Sequence, residues 1–427
     1  MMPPGLRKRW LFLLPSVFIT YSLAYLDRAN YGFGAAAGLA KTLRITDSQS
    51  ALLGALFFLG YFFFQIPGAA YARRKSARFL VFWALVGWGT MASLTGVISN
   101  FSLLAVDRLL LGAAESFILP AMLILLTNWF TSAERSRTNT LLILGNPITM
   151  LWMSLATGYL IRAVGWRMTF ILEGLPSVLW GIVWLFIIRD HPHEVSWMDA
   201  ESTKYLSQQL QHEQLQLPKV AGLKAALRQP GVILLTVQYF FWSLTVYGFV
   251  LWLPSVVQSS AAQGIAMTGV ISAAPYLIAI VVMLVVSHYS DKSRKRKQFI
   301  WPFLMISSAA LIGYCLTAGY GFWWGFGFLI VAGAAMYAPY GPFFAVMPEI
   351  LPRNVSGEVT ALVNSSGALG GFAGTWLVGL LKALTGSSIS GFLLMASSLT
   401  VASIMLMYIP GAPSRSAKVL TQLAAED

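Results

Sequence analysis

The sequence has 427 residues, of which 57% are hydrophobic and only 11% are charged. Soluble domains carry about 25% charged residues, so this composition excludes an ordinary soluble globular protein. The net charge of +13 would favour nucleic acid in a soluble chain, but here the basic residues fall in short segments between apolar runs, and we expect no nucleic-acid partner.

The apolar runs predict an all-α membrane protein. A helix needs about 20 apolar residues to cross a bilayer, and its backbone must be satisfied within the segment. The first run is too long for a signal-peptide core and has no small-residue cleavage site, so we expect it to remain as a span. Twelve runs meet the length requirement: 11–34, 51–71, 79–98, 102–126, 138–160, 168–188, 231–257, 264–286, 299–318, 322–347, 358–380 and 390–410.

The placement of lysine and arginine predicts the orientation of these spans. With the N-terminus in the cytoplasm, 22 of the 29 basic residues lie in cytoplasmic segments and five lie outside. The remaining two, Arg28 and Arg108, lie within spans. We therefore predict a multi-pass protein surrounded by lipid, with both termini in the cytoplasm. The short loops and the absence of extra domains favour a bacterial inner membrane.

The longest polar stretch, 189–230, separates six spans from six. A basic turn follows the second span of each half, at 68–78 and at 287–297, which indicates an internal repeat. We predict an N-terminal six-helix bundle over 1–188, a cytoplasmic linker over 189–230 and a C-terminal six-helix bundle over 231–427, related by a pseudo-two-fold axis.

The linker predicts one further helix but no metal site. Residues 199–213 suit a surface helix capped by Ser196 or Asp199. The linker histidines are irregularly spaced and solvated, so we expect neither a metal nor another cofactor; they are His191, His193 and His212. The single Cys315 lies in an apolar run, which excludes a disulfide framework.

Few ionisable residues lie within the spans. A charge at bilayer depth costs about 2.5–3.5 kcal/mol on insertion scales, so each is by default a functional hypothesis. These residues are Asp27, Arg28, Arg108 and Glu115, with Asp107 and Glu173 nearer the span ends. The C-terminal spans have no interior charge, so we expect the N-terminal half to handle charge and the other half to offer neutral polar and aromatic groups.

Depth counting places two arginines at one level. At 1.5 Å per residue, Arg28 lies about 25 Å from the cytoplasmic start of span 1, and Arg108 about 9 Å from the outer start of span 4. Glu115 follows Arg108 by seven residues and shares its helix face. Paired guanidinium groups favour an anion, because each offers a planar fork to carboxylate or phosphate.

The carboxyl groups of Asp27 and Glu115 suggest a second function of the site besides anion binding, namely proton binding. Burial and a neighbouring arginine act in opposite directions on the proton affinity of a carboxyl group, so a balanced group can load and release a proton. The alternative is structural: Asp27–Arg108 or Arg28–Glu115 would be buried ion pairs that lock helices together.

Neutral side chains complete the candidate site. The amides of Asn146 and Asn364 are favoured, because an amide in lipid needs a partner. Tyrosine and tryptophan also occur at membrane interfaces, so a structural role stays open for the aromatic candidates. The further candidates are Tyr25, Tyr61, Gln238, Tyr239, Trp242, Tyr337, Tyr340, Ser365 and Ser366.

Several motifs carry a resemblance to a known family. They are YLDRANYGF (25–33), GYFFFQIPG (60–68), DRLLLGAAESFILP (107–120), TNWFTSAERSRTN (127–139) and SDKSRKRK (290–297). With these motifs the chain resembles the major facilitator superfamily over essentially its full length, and within it the anion:cation symporters. The R-x6-E-x4-P spacing in span 4, together with LDR in span 1, is specific to this branch, which includes bacterial galactonate, rhamnonate, tartrate and hydroxyphenylacetate permeases.

The resemblance implies proton-coupled uptake of a small organic anion, such as a sugar acid or another carboxylate, by alternating access. It assigns carboxylate binding to Arg28 and proton coupling to Asp27 and Glu115, with Arg108 modulating these acids. It also implies a cavity lined by Tyr25, Tyr61, Asn146 and Asn364, to which we add Gln238, Tyr340 and Ser365 as substrate-binding candidates. We expect a monomer with no catalytic residues.

Two alternative classes of membrane protein are compared with a proton-coupled symporter. A membrane enzyme or receptor is disfavoured, because the chain has no HExxH, GxSxG or phosphate-loop motif. Among transporters, an exporter, an exchanger or a sodium-coupled carrier of the same fold remains an alternative to proton-coupled uptake. One departure concerns the turn after span 2, where Arg73 replaces the expected acid and Ser76 the expected glycine, whereas the C-terminal copy keeps Asp291.

Overall fold

The computed structural model describes residues 5–215, 230–260, 264–293, 295–317, 319–344 and 356–408, and this part of the chain is helical without a β-strand. The predicted all-α fold is confirmed. The helices are α1 (Gly5–Ala36), α2 (Leu39–Leu43), α3 (Asp47–Arg74), α4 (Ala77–Val97), α5 (Phe101–Glu115), α6 (Ile118–Trp129), α7 (Ser132–Ile187), α8 (Ala200–Leu215), α9 (Pro230–Ser260), α10 (Ile265–Ser293), α11 (Trp301–Thr317), α12 (Phe322–Tyr337), α13 (Ser356–Thr385) and α14 (Ile389–Tyr408).

Eleven stretches of the described chain are long and apolar enough to cross a membrane. One of them, Leu141–Ile187, has 47 residues, or about 70 Å of helix, which is more than twice the thickness of the hydrocarbon core. Gly165 divides α7 with φ 78° and ψ 162°, a backbone conformation that glycine adopts without a Cβ clash. The two arms, 132–164 and 166–187, correspond to predicted spans 5 and 6.

The predicted fourth span is also divided, directly after Glu115. Helix α5 ends at Glu115 and α6 begins at Ile118. Pro120 lacks the N–H that would bond to the carbonyl of Ser116, which removes one hydrogen bond of the helix at this point. The R-x6-E-x4-P spacing therefore places Glu115 at a helix end inside the protein.

Helix packing brings α3 and α5 together at the centre. A Cβ on Gly60 would collide with the backbone of Leu109, and one on Gly112 would collide with the backbone of Phe57. Glycine permits this close approach because it has no side chain. The crossing sets the ring of Phe57 beside the charged residues of α5.

Three helix pairs form the main contacts between the predicted halves within the described chain. Helix α3 packs along α13, α7 along α10 and α1 along α9, while α7 also packs on α1 and on α4. Helix α9 packs on α13 and α14. The bundle boundaries at residues 188 and 231 remain a prediction. Below, the N-terminal face is the membrane face at which α1 begins, and the far face is the one that carries the start of α3.

The linker begins with a segment that packs on the N-terminal face. The ring of Trp197 stacks on Phe12, with centroids 5.1 Å apart, and on Trp129 at 5.6 Å. Helix α8 begins after Asp199, which accepts hydrogen bonds from the Ser202 backbone N–H at 2.7 Å and its hydroxyl at 2.8 Å. These bonds lower the pKa of Asp199. Asp199, and not Ser196, is therefore the cap of the predicted surface helix.

The unusual turn after span 2 has a carboxylate partner from elsewhere in the chain. The hydroxyl of Ser76 donates to Oδ2 of Asp190 at 2.5 Å, and the backbone N–H of Arg78 donates to Oδ1 at 3.0 Å. Asp190 directly follows α7 and so brings an acid to a turn that lacks its own. The side chains of Arg73 and Asp291 lie outside the described residues.

Candidate functional site

Arg28 lies on α1 in the protein interior, with 8% of its surface exposed. Its Nε and Nη2 both lie 2.5 Å from Oε1 of Glu115. The rings of Tyr25 and Tyr61 each have their centroid 4.6 Å from the Arg28 Cζ. Of the two predicted ion pairs, Arg28–Glu115 therefore exists, held between two aromatic faces.

A fifth residue reaches this group from the facing helices. The Tyr247 hydroxyl on α9 accepts a hydrogen bond from Arg28 Nη1 at 3.4 Å. Tyr247 is not among the predicted site residues. It lies about 24 Å from the start of span 7, however, which is close to the depth of Arg28 in span 1. We call Tyr25, Arg28, Tyr61, Glu115 and Tyr247 the anion cluster.

Arg108 is buried as deeply but is bound differently. Its Nε donates to the carbonyl oxygen of Leu53 at 3.4 Å, and its Cζ lies 4.8 Å from the ring centroid of Tyr31. Both arginines flank the Phe57 ring, with Cζ-to-centroid distances of 5.6 Å for Arg108 and 5.7 Å for Arg28, as their predicted common depth requires. No carboxylate of the described residues forms an ion pair with Arg108, so the predicted Asp27–Arg108 pair is wrong.

Asp27 instead faces the second arm of α7. The Asn30 amide nitrogen lies 3.4 Å from Oδ1 of Asp27 and 3.2 Å from Oε2 of Glu173. The Thr157 hydroxyl donates to Oε1 of Glu173 at 2.6 Å. We call Asp27, Asn30, Thr157 and Glu173 the acid cluster. Asn30, three residues after Asp27, could have been found from that helical spacing.

The remaining candidates lie on several helices. The Ser365 hydroxyl on α13 donates to Oε1 of Gln65 on α3 at 2.5 Å, and both residues are fully buried. Tyr340 packs on Trp242, with centroids 4.6 Å apart, and lies within electrostatic range of Tyr25. These contacts place Ser365 and Tyr340 on the side of the C-terminal helices that faces α1 and α3.

The predicted amides are not joined to Arg28. Asn146 and Gln238 are buried, and Asn146 Oδ1 and both polar atoms of Gln238 have no hydrogen-bond partner. Asn364 is half-buried. No hydrogen bond links these three amides to Arg28 within the described chain, so their assignment to substrate binding stays a prediction.

The helices meet between the anion cluster and the far face. A Cβ on Gly32 would lie 2.7 Å from the carbonyl oxygen of Leu251, so α1 and α9 touch through their backbones. Lys382 Nζ lies 3.1 Å from Oδ2 of Asp47, joining α13 to α3. These contacts close the anion cluster from the far face.

A cavity of about 890 Å³ opens on the far face beside these contacts. It lies between the end of α1, the Gly165 break and the start of α10. Its lining includes Ala37, Lys41, Ile161, Arg162 and Trp166, but not Arg28.

A deeply buried, charged centre where membrane-spanning helices from both ends of the chain meet defines a transport protein. The sequence pattern of the Major Facilitator Superfamily matches residues 17–375, and the chain belongs to this family. The predicted resemblance is confirmed, and the chain is a secondary transporter and not an enzyme.

Three known proteins illustrate the relationship. A putative tartrate transporter of Agrobacterium vitis is 27% identical, over 97% of this chain and 96% of its own length. A quinolone resistance transporter of Acinetobacter baumannii is 27% identical, over 93% of this chain and 92% of its own. The inward-open structure of the xylose transporter XylE from E. coli has a TM-score of 0.74 at 12% identity, covering 96% of this chain and 99% of that one, and shows the shared fold.

Proposed function

We propose that this transporter is a proton-coupled symporter that takes up a small organic anion, such as a sugar acid or another carboxylate, across a bacterial inner membrane. The observation that carries the proposal is the ion pair between Arg28 and Glu115, with both Nε and Nη2 at 2.5 Å from one carboxylate oxygen. The putative tartrate transporter of A. vitis supports the carboxylate class of substrate.

Arg28 is the proposed anchor for the substrate anion. A planar guanidinium fork binds a carboxylate through two parallel hydrogen bonds, and in this structure Glu115 occupies that fork. Tyr25 and Tyr61 present ring faces on either side, and Tyr247 presents a hydroxyl from α9. A substrate carboxylate would take the place of the Glu115 carboxylate on the same fork.

This exchange couples the anion to a proton. An ionised Glu115 competes with the substrate for Arg28, whereas a protonated Glu115 is neutral and gives up most of its attraction to the guanidinium. Proton binding at Glu115 therefore strengthens anion binding at Arg28, and by linkage the anion strengthens proton binding equally. Couplings of this kind typically correspond to about 5- to 150-fold in affinity.

Charge balance across the membrane favours the same coupling. A potential of 100 mV, negative inside, opposes the inward movement of one negative charge by about 2.3 kcal/mol. One accompanying proton cancels this opposition, and a second makes uptake favoured by the potential. An anion carrier that accumulates its substrate at such a potential thus needs an accompanying cation or the exchange of another anion.

The helix interfaces support alternating access. With the N-terminal face in the cytoplasm, the contacts Asp47–Lys382 and Gly32–Leu251 close the outer side of the site. Opening to the outside requires these contacts to separate while the two predicted bundles rock about the α3–α13 and α7–α10 interfaces. The protonated, loaded site then opens inward and releases both cargoes.

Uptake into proteoliposomes tests the proposal. Purified protein would be supplied with tartrate, galactonate, rhamnonate and 4-hydroxyphenylacetate under an inward proton gradient, with and without sodium. We expect accumulation of at least one of these acids that depends on the proton gradient and not on sodium. A requirement for sodium, or no accumulation of any acid, would contradict symport with protons.

Export is the second candidate, because the quinolone resistance transporter of A. baumannii is equally similar. An exporter would carry ciprofloxacin into inverted vesicles in exchange for protons. Proton-driven movement of ciprofloxacin, without accumulation of any carboxylate in the uptake assay, would favour this candidate over uptake.

A further inference from the structure

The acid cluster contains a buried carboxyl group, Glu173, that the proposed coupling at Glu115 does not use. Glu173 is 4% exposed and accepts hydrogen bonds from Thr157 at 2.6 Å and Asn30 at 3.2 Å. The Asn30 nitrogen also lies 3.4 Å from Oδ1 of Asp27. One neutral amide therefore stands between two buried carboxyl groups on different helices.

The buried charges in this region do not balance. Among the described residues, four acids lie buried within the spans with at most 4% exposure, and two arginines with at most 8%. If every group were ionised, the region would carry two excess negative charges, which a buried site strongly disfavours. Charge balance therefore requires two protons on the acids, which are Asp27, Asp107, Glu115 and Glu173.

The contacts indicate which acids hold these protons. Glu115 is paired with Arg28 at 2.5 Å and is therefore ionised. Asp107 directly precedes Arg108 in the chain and accepts a hydrogen bond from the Thr95 hydroxyl at 2.8 Å. Asp27 and Glu173 are left with a neutral amide and hydroxyl as their bonded partners.

Asn30 suits both charge states of these two acids. Its amide nitrogen donates to an ionised carboxylate, and its Oδ1 accepts from a protonated one. In the structure Asn30 Oδ1 and Asp27 Oδ2 are both buried without a hydrogen-bond partner. After a 180° turn of the amide, Asn30 Oδ1 would face Asp27 Oδ1 and Glu173 Oε2 and would accept a hydrogen bond from a proton on either oxygen.

The far-face cavity lies above the acid cluster, on the same helices. Ala37, Ile161 and Trp166 line the cavity. Asn30 lies seven residues before Ala37. On α7, Thr157 lies four residues before Ile161, and Glu173 lies seven residues after Trp166. These separations correspond to about 6–10 Å along a helix and keep each residue on the same helix face as its cavity-lining partner. The ring of Phe170 packs against Gly34 between these two levels.

We propose that Glu173 is a proton-binding site of the transport cycle, reached from the far-face cavity and coupled to Asp27 through the amide of Asn30. The inference rests on the proposed function and adds a proton site outside the anion cluster. A proton from far-face water binds a Glu173 carboxylate oxygen and makes a neutral carboxyl group. Asp27 on α1 is linked to Glu173 through Asn30, and Glu115 and Arg108 on α5 are the other charged groups near Asp27.

Infrared titration of the reconstituted protein tests this inference without any substrate. The carbonyl stretch of protonated carboxylic acids would be followed against pH in wild type, Glu173→Gln, Glu173→Asp and the control Asp107→Asn. We expect Glu173→Gln to remove one titrating component, Glu173→Asp to restore it at a shifted frequency, and Asp107→Asn to leave it in place. A spectrum that is the same in wild type and Glu173→Gln would overturn the proposal.

Two further measurements distinguish proton binding by Glu173 from a purely structural role of this residue. Thr157→Val removes a donor to Glu173 while leaving its charge, so we expect the same infrared component to shift in frequency and pH midpoint; no shift would overturn the proposal. With the best acid of the uptake panel, Glu173→Gln should keep substrate exchange but lower the proton-to-substrate ratio by one. A wild-type protein that moves no protons would overturn the proposed symport, while the infrared titration still decides whether Glu173 binds a proton.

Discussion

Asp27 and Arg28 are neighbours in the chain, yet their side chains enter different environments. They leave α1 about 100° apart, as adjacent helical residues do. Arg28 contacts Glu115 on α5 and Tyr247 on α9, so it lies where the two predicted halves meet. Asp27 contacts Asn30 on its own helix and, through it, Glu173 on α7.

Under the proposed function, this difference lets one helix serve two cargoes. In the proposed cycle the anion cluster spans an interface that changes with access, and the bound anion is released when α9 moves away. The acid cluster lies entirely within the N-terminal helices, so its hydrogen bonds can persist while access changes. The predictions below test whether the two environments are functionally distinct.

The largest difference should come from the two arginines. Arg28→Lys replaces a fork that makes two charge-assisted hydrogen bonds with a point charge, and such bonds contribute about 1.5–3 kcal/mol each. We expect uptake of the panel acid to fall about 100-fold or more. Arg108→Lys loses one bond to a backbone carbonyl and aromatic contacts, and should lower uptake less than about 10-fold. Equal losses in the two variants would remove the distinction between anchor and modulator.

A smaller effect is expected at Tyr247, the contact from the facing helices. Tyr247→Phe removes the hydroxyl that Arg28 reaches at 3.4 Å, and one hydrogen bond of this kind is worth about 1 kcal/mol. Substrate affinity, measured by calorimetry, should weaken about 5-fold. Tyr31→Phe is the matched control, because its hydroxyl donates to the Ser50 carbonyl at 2.8 Å and not to Arg28. An equal loss of affinity in this control would assign the effect to packing.

The smallest effect should come from the far-face contact between Lys382 and Asp47. Their side chains are 33% and 56% exposed, and exposed pairs contribute about 0.2–1 kcal/mol. Lys382→Ala should change the rate of uptake by less than about 5-fold, and high salt should reduce the difference. A double-mutant cycle with Asp47→Ala measures the pair directly. A loss of uptake comparable to that of Arg28→Lys would show that this pair does more than close the outer side.

The sequence predicts how deep the charged residues lie in the membrane, but not which neighbouring helix each side chain contacts. Counting 1.5 Å per residue placed Arg28 and Arg108 at one level, and both contact the Phe57 ring. The count could not say that Asp27 is linked to Glu173 through Asn30 and forms no ion pair with Arg108, because a residue's height along a helix does not fix which neighbour its face meets. That direction depends on how α7 packs on α1.

Hydropathy predicted one of these two helix breaks but not the other. The fourth span was predicted as one run, 102–126, whereas α5 ends at Glu115, five residues before Pro120. The hydropathy pattern separated predicted spans 5 and 6, and Gly165 breaks α7 between them. Tyr247 was missed, because a hydroxyl in an apolar helix is as common at membrane interfaces as in binding sites.

The central claim is that a proton on Glu115 frees Arg28 for the substrate anion. It is tested most directly by the affinity for the best panel acid as a function of pH, in wild type and in Glu115→Gln. In wild type we expect the affinity to fall as the pH rises and Glu115 ionises, because the carboxylate then competes for the guanidinium. Glu115→Gln cannot ionise, so its affinity should stay high and nearly independent of pH. A Glu115→Gln variant whose affinity falls with pH as steeply as that of wild type would contradict the claim.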